Sequence, residues 1–139
     1  MERSYIGPAF EDAKVHDAMR VGVVTCRPET GLADVARMMV GYDIHSVVVS
    51  DVQGEGSLWG IVTSLDLARV PDELGSLTAG GVASTDLVTI RSDESLRRAA
   101  ELMAEHGVTH LIAVDPGTDR PAGMISARTI AAAVAYGRS

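Results

Sequence analysis

Gly60-Ile61-Val62-Thr63-Ser64-Leu65-Asp66 is the stretch on which the reading of this 139-residue chain turns. Its first four residues have the apolar character of a buried strand, and Thr63 stands where a strand hands over to a helix. Backbone N–H groups and the positive dipole end at such a helix start favour an anion beside the hydroxyl. Asp66, one turn later, shares that mouth. A carboxylate repels phosphate, but it accepts hydrogen bonds from vicinal hydroxyls, as acidic residues do with nucleotide ribose. One reading therefore places phosphate near Thr63 and ribose on Asp66. The other makes the pair a helix cap, because Ser/Thr-x-x-Asp/Glu is also the sequence of a capping box. The two readings are not exclusive.

Composition bounds what that mouth can serve. Hydrophobic residues make up 46% of the chain and charged residues 22%, a balance that builds a core instead of a disordered chain. A globule of 139 residues buries about two-thirds of its unfolded surface, as one domain or as two small similar units. Aromatic residues are only 4%, so the core is Val, Leu, Ile, Ala and Met, and Trp59, Tyr42 and Phe10 are candidates for special positions. The net charge of −7, with no Lys/Arg cluster, removes the attraction that drives nucleic-acid binding. Cys26 is the only cysteine, so no disulfide forms within the chain, and its apolar strand context suits a small buried hydrophobe. The N-terminus, with Glu2, Arg3 and Pro8, has no apolar run long enough for a signal peptide or a membrane span, so a cytoplasmic location is expected.

Working outward from the central stretch, Phe10 to Met19 reads as a short helix with Phe10, Ala13, Val15 and Ala18 apolar, after a loose start at Gly7 and Pro8. Val21 to Cys26 is a β-rich run ended by Pro28. Leu32, Val35, Ala36, Met39 and Val40 recur at helical spacing as one apolar stripe, with Thr30 as N-cap and Gly41 as breaker. Ser46 to Ser50 has the pattern of a strand covered on both faces, and strand, helix, strand with short joints implies a parallel pair. Asp51 to Ser57 supplies turn chemistry, so Leu58 to Thr63 returns as the antiparallel partner of a hairpin. Ser64 to Val70 closes the unit as a helix stopped by Pro71.

Pro71 to Gly81 is Gly- and Ser-rich, a connector with one short helical piece, and after it the pattern starts again. Val24-Thr25 aligns with Val88-Thr89, Arg27 with Arg91, Leu32 with Leu96, Ala36 with Ala100, Met39 with Met103 and Asp51 with Asp115. One residue fewer in the hairpin then sets Gly60 on Gly123, Thr63 on Ser126 and Asp66 on Thr129, which marks an internal duplication. The expected organisation is a lead-in over 1–16, a β-α-β-β-α repeat over 17–70, a connector over 71–80 and a second repeat with a C-terminal helix over 81–139. The fold class expected is α+β, with α/β-like order: two β-α-β-β-α repeats packed sheet to sheet with pseudo-twofold symmetry. Each three-stranded sheet would otherwise leave one face bare, and the two mouths would open into clefts where the sheets meet.

These features resemble a tandem pair of cystathionine β-synthase (CBS) domains, often called a Bateman module, over about Asp17 to Ile130. The residues that carry the resemblance are DAM at Asp17 to Met19, IHSVVVSD from Ile44, VTHLIAVD from Val108, and GIVTSLD against the family's Gly-h-h-Thr/Ser-x-x-Asp/Asn. The resemblance implies a regulatory sensor that binds an adenosine compound such as AMP, ADP, ATP, NAD(H) or S-adenosylmethionine in the two clefts. It also implies a homodimer, a regulated protein partner and no required cofactor. By the family pattern the first cleft combines Ile61, Thr63 and Asp66 with Leu87, Val88, Val108 and Thr109, whose apolar walls would hold adenine. The second, weaker cleft combines Ser126, Arg128 and Thr129 with Val23, Val24, Ile44 and His45. Thr129 stands where the family has a carboxylate, so ribose recognition there is in doubt, while Arg128 and His45 are open to two readings, positive charge placed near a phosphate or a solvated Arg and an ordinary strand-edge His.

Other chemistries find less support. His106 and His110 have a spacing that would suit a metal on a helix, but Gly107 breaks any helix between them, so no metal is expected. No nucleophile with a base at readable spacing appears, and Asp66 lacks a local partner that would tune it for acid–base work, so no catalytic residues are expected. Met38, Met39 and Met103 lie on apolar stripes and read as core or dimer packing. The alternative to a nucleotide-binding regulator is a ligand-free dimerisation or interaction scaffold.

Overall fold

A computed structural model describes residues 6–50, 58–70, 72 and 75–138, with the Leu58 side chain left out. The described chain divides into two compact units: a continuous one, Val23–Leu87, and a split one made of Met1–Gly22 and Val88–Ser139.

In the continuous unit, β2 (Thr25–Cys26) pairs in parallel with β3 (Ser46–Ser50), and β3 pairs antiparallel with β4 (Leu58–Thr63). Helices α2 (Leu32–Tyr42), α3 (Ser64–Ala68) and α4 (Ala79–Val82) complete it. In the split unit α1 (Val15–Ala18) and β1 (Arg20–Val21) join β5 (Thr89–Arg91), α5 (Leu96–His106), β6 (His110–Val114), β7 (Pro121–Ser126) and α6 (Ala127–Tyr136). The four-stranded sheet runs β1-β7-β6-β5, with β5 parallel to β6 and both β1 and β6 antiparallel to β7. The fold is therefore mixed α+β, built from two like units.

The duplication reaches the hydrogen bonds. Val48 N–H donates to the Val24 carbonyl as Ile112 does to Val88, and both hairpins carry a register shift at the aligned places, Val49/Ser50 and Ala113/Val114. Each core is a stripe of one helix against one face of its sheet: Leu32, Val35 and Met39 with Val47, Val49 and Val62, and Leu96, Ala99 and Met103 with Leu111, Ala113 and Ile125. Val48 and Ile112 are buried too, although they belong to neither cluster.

The structure also aligns α4 with α1, which the sequence reading treated as a piece of connector. Ala79 donates to the Thr30 carbonyl as Val15 does to Glu94, and Leu32 donates to Leu77 as Leu96 does to Ala13. Each of these short helices precedes one repeat in the chain yet docks on the other. Repeat boundaries along the chain and compact units in space thus differ.

Several local expectations are corrected. The Phe10 to Met19 helix shrinks to Val15–Ala18, because residues 13 and 14 are extended: Ala13 accepts from Leu96 N–H and Lys14 bridges Ser95. The Val21 to Cys26 run breaks at Gly22, whose φ of 87 turns the chain out of one unit and into the other. Thr30 does not cap α2; its hydroxyl accepts from Arg27 N–H, and Gly31 is the N-cap. Gly41 lies inside α2, which ends at Asp43 in a left-handed conformation, and Val40 is 83% exposed, off the buried stripe. The helix expected from Ser64 to Val70 ends at Ala68. The hairpin turn at 51–57, including Asp51, and the stop at Pro71 lie outside the described residues.

Candidate functional site

The Thr63 mouth forms because β4 runs straight into α3 with no loop between them. Thr63 is the N-cap. Its N–H donates to Asp66 Oδ2 at 2.8 Å, its hydroxyl donates to the same oxygen at 3.1 Å, and Asp66 N–H donates to Thr63 Oγ1 at 3.3 Å. The capping box is realised in full. Ser64 N–H donates to the His45 carbonyl, which seals the next turn donor.

This geometry narrows what the mouth can bind. Three of the four N–H groups from Thr63 to Asp66 already have acceptors, and the Thr63 hydroxyl proton is directed at Asp66. Helix α3 has only 5 residues, too few for a developed macrodipole. A phosphate beside Thr63 would therefore meet few free backbone donors. Asp66 Oδ2 carries two hydrogen bonds, while Oδ1 lies 3.9 Å from Arg69 Nη1 in a long ion pair. The Asp66 side chain keeps 19% of its exposure, so Oδ1 is the atom on which two vicinal hydroxyls would converge. Arg69 was not singled out from the sequence; its place three residues after Asp66 on one helix face was the signal that would have found it.

The aligned mouth in the split unit keeps the cap and loses the acid. Ser126 Oγ accepts from Thr129 N–H at 3.2 Å and lies 3.1 Å from Thr129 Oγ1, while Ala127 N–H donates to the Thr109 carbonyl. Arg128 is exposed beside it, and Thr109 Oγ1 lies 3.0 Å from His110 Nδ1. α6 is twice as long as α3, but no charged acceptor replaces Asp66.

The residues assigned to each cleft are divided between the units. Ile61, Thr63, Asp66 and Leu87 belong to the continuous unit, and so do Val23, Val24, Ile44 and His45. Val88, Val108, Thr109, Ser126, Arg128 and Thr129 belong to the split unit. Within the continuous unit His45 adjoins Thr63 through the Ser64 bond, and Ile61 exchanges two backbone hydrogen bonds with Ser84. Gly60 makes room for that crossing, since a Cβ there would lie 2.8 Å from the Ser84 carbonyl oxygen. Gly123 does the same for Arg20, whose carbonyl oxygen its Cβ would overlap.

His106 ends α5 and Gly107 follows it at φ 63, so the two histidines of the H-x3-H spacing do not share a helix. Among the described residues no group of three or more His, Cys, Asp or Glu is placed to hold a metal, and no helix is long and apolar enough to cross a membrane.

Comparison with known proteins gives the same pattern twice. The family described as CBS domain matches residues 15–73 and again residues 79–136. A homoserine O-acetyltransferase of Methanocorpusculum labreanum is 31% identical over 126 residues, which cover 90% of this chain but 25% of the relative. The chain thus spans a quarter of that relative's length. The CBS domain pair of protein MJ0100, crystallised with 5′-methylthioadenosine and S-adenosyl-L-methionine, superposes with a TM-score of 0.74 at 21% identity, covering 86% of this chain and 93% of that one. The CBS domain of a bacterial CNNM/CorC family Mg2+ transporter, in complex with ATP, gives 0.75 at 16% identity, covering 94% and 92%.

Proposed function

Because the chain belongs to the CBS domain family, with the domain present in tandem, we propose that it is a regulatory, non-catalytic module that binds an adenosine-containing ligand with Asp66 as the ribose acceptor. The observation that carries the reading is that the capping box uses Asp66 Oδ2 and leaves Oδ1 outside it, 3.9 Å from Arg69 Nη1. Solved relatives that hold S-adenosyl-L-methionine, 5′-methylthioadenosine or ATP support the ligand class. The sensor is cytoplasmic and homodimeric, acts on a protein partner, and needs no cofactor, nucleic acid or membrane.

Within the class the Thr63 mouth favours a ligand whose 5′ substituent carries little negative charge. A carboxylate with few neighbouring donors disfavours a polyphosphate, and Arg69 is the cation paired with it. S-Adenosylmethionine therefore ranks above ATP there. The second mouth, with Thr129 in place of the acid, binds adenosine weakly or not at all. Ile61 and Leu87 on the continuous unit, and separately Val88, Val108 and Thr109 on the split unit, are proposed as adenine-contacting residues. Val23, Val24, Ile44 and His45 on the continuous unit, and Ser126, Arg128 and Thr129 on the split unit, are proposed as weaker ligand contacts in the same way.

Thermal-shift screening with AMP, ADP, ATP, NADH, 5′-methylthioadenosine and S-adenosylmethionine tests the reading, followed by titration of the Thr129→Asp chain. At least one compound should raise Tm, and Thr129→Asp should move the stoichiometry from one toward two per chain. A panel without any shift would favour the alternative, a ligand-free scaffold.

A further inference from the structure

Residues 6–22 form an arm whose partners lie far away along the chain. Among the described residues, the backbone hydrogen bonds that tie it to the rest of the protein run to residues 92–138. Val15 donates to Glu94, His16 to Ser92, Ala9 to Arg138 and Gly22 to Ala122, while Leu96 donates to Ala13 and Arg138 to Gly7. β1 adds an edge strand to β7, with Arg20 opposite Met124 and Val21 opposite Gly123. Ala13 and Val15 are fully buried in the split unit's core, Phe10, Ala18 and Met19 pack against it, and Arg97 stacks 5.3 Å over the Phe10 ring. The receiving surface is specific: no side chain fits on Gly123 beneath Arg20, nor on Gly137 beneath Pro8 and Ala9. Beyond Val21 the chain turns at Gly22, with φ 87 and nothing within 4 Å of where a Cβ would sit, and enters the other unit. A glycine hinge of that kind accepts an extended conformation as readily as the closed one.

The aligned second arm, which contains α4, is wired differently. It docks on the unit that immediately precedes it, so Ser84 meets Ile61 across a short stretch of chain, whereas Arg20 meets Met124 across most of the protein. The first arm is joined to its own dock only through the whole of the continuous unit, so covalent connection ties it there less directly than the second arm is tied to its neighbouring unit. We infer that residues 6–22 are an exchangeable arm. The groove on the split unit along the β7 edge and over α5 and α6 accepts the arm of a second copy of this chain, giving a dimer by reciprocal exchange. Every contact of the arm is kept in the exchanged form; only the hinge at Gly22 changes, and association competes with closure by mass action. This inference stands independently of the adenosine reading.

Disulfide trapping in a Cys26→Ala background tests it. One chain carries Arg20→Cys with Met124→Cys, and a control carries the aligned pair Ser84→Cys with Ile61→Cys. Both are refolded at low and at high micromolar concentration, oxidised, and run on non-reducing gels. The first pair should give a covalent dimer whose share rises roughly in proportion to concentration, and the control should give only the internally closed monomer. Monomer alone from the first pair, or equal dimer from both, overturns the inference. Should neither pair oxidise, the parent chain decides. Refolded at high concentration beside Gly22→Ala, whose Cβ strains the closed hinge at φ 87, it should give the smaller dimer share of the two; equal shares overturn the inference.

Discussion

Asp66→Asn and Asp66→Ala separate the two tasks this side chain holds. Asn keeps a carbonyl oxygen for Thr63 N–H, whereas Ala leaves that donor and the hydroxyl without their acceptor. Urea unfolding should show Ala losing about 1 kcal/mol more than Asn, the usual size of a lost cap. Both should weaken adenosine binding, about tenfold to a hundredfold, because a charged acceptor contributes roughly 1.5 to 3 kcal/mol. A stability loss in Ala with unchanged affinity in both would leave Asp66 as a cap alone. Cys26 gives a second test. Burial pushes its thiol pKa up, opposed by a weaker hydrogen bond from the Thr30 side chain, so above the ordinary thiol pKa the folded chain holds a proton that the unfolded chain releases. That stabilisation is complete at neutral pH and is lost as pH rises toward the folded value. Unfolding midpoints should therefore fall across the alkaline range in the parent and fall less in Cys26→Ala; parallel curves would contradict this. At this scale the Thr63 and Asp66 pairing was legible from its three-residue spacing, but which carboxylate oxygen the cap uses was not, because that depends on the rotamer the cap sets.

Helix α2 begins at Gly31 without a side-chain cap, while α5 begins at Ser95, whose hydroxyl accepts from Arg98 N–H. A Cβ at Gly31 would meet nothing within 4 Å, so Gly31→Ser has room to act as Ser95 does. It should stabilise the continuous unit by roughly a few tenths of a kcal/mol. A lower urea midpoint would contradict that. The long apolar stripes, Leu32 to Met39 and Leu96 to Met103, were readable because periodicity over three turns outweighs local noise. Short elements were not. The helix expected from Phe10 shrank to Val15–Ala18 since its neighbours are spent on bonds to residues 92–96, and α4 was masked by the two glycines inside it. In each case partners far along the chain decided the conformation, and no local pattern encodes them.

For the molecule as a whole, the duplication was the legible feature, and it reached the register of both hairpins. The exchange of lead-in helices between repeats was hidden, because sequence order says where a helix begins and not which sheet receives it. Two of the exposed apolar residues, Val40 at 83% on α2 and Val134 at 66% on α6, are proposed to be covered in a homodimer. Light scattering at tens of micromolar should report about twice the 14.6 kDa chain mass; a monomer would count against it. Calorimetric titration of the parent and of Asp66→Asn with S-adenosylmethionine, 5′-methylthioadenosine, AMP and ATP tests whether Asp66 holds the ribose of a bound adenosine compound. At least one of these should bind the parent saturably, S-adenosylmethionine more tightly than ATP, and the variant should lose about tenfold or more in affinity. No heat from any of the four, or equal dissociation constants for parent and variant, would contradict it.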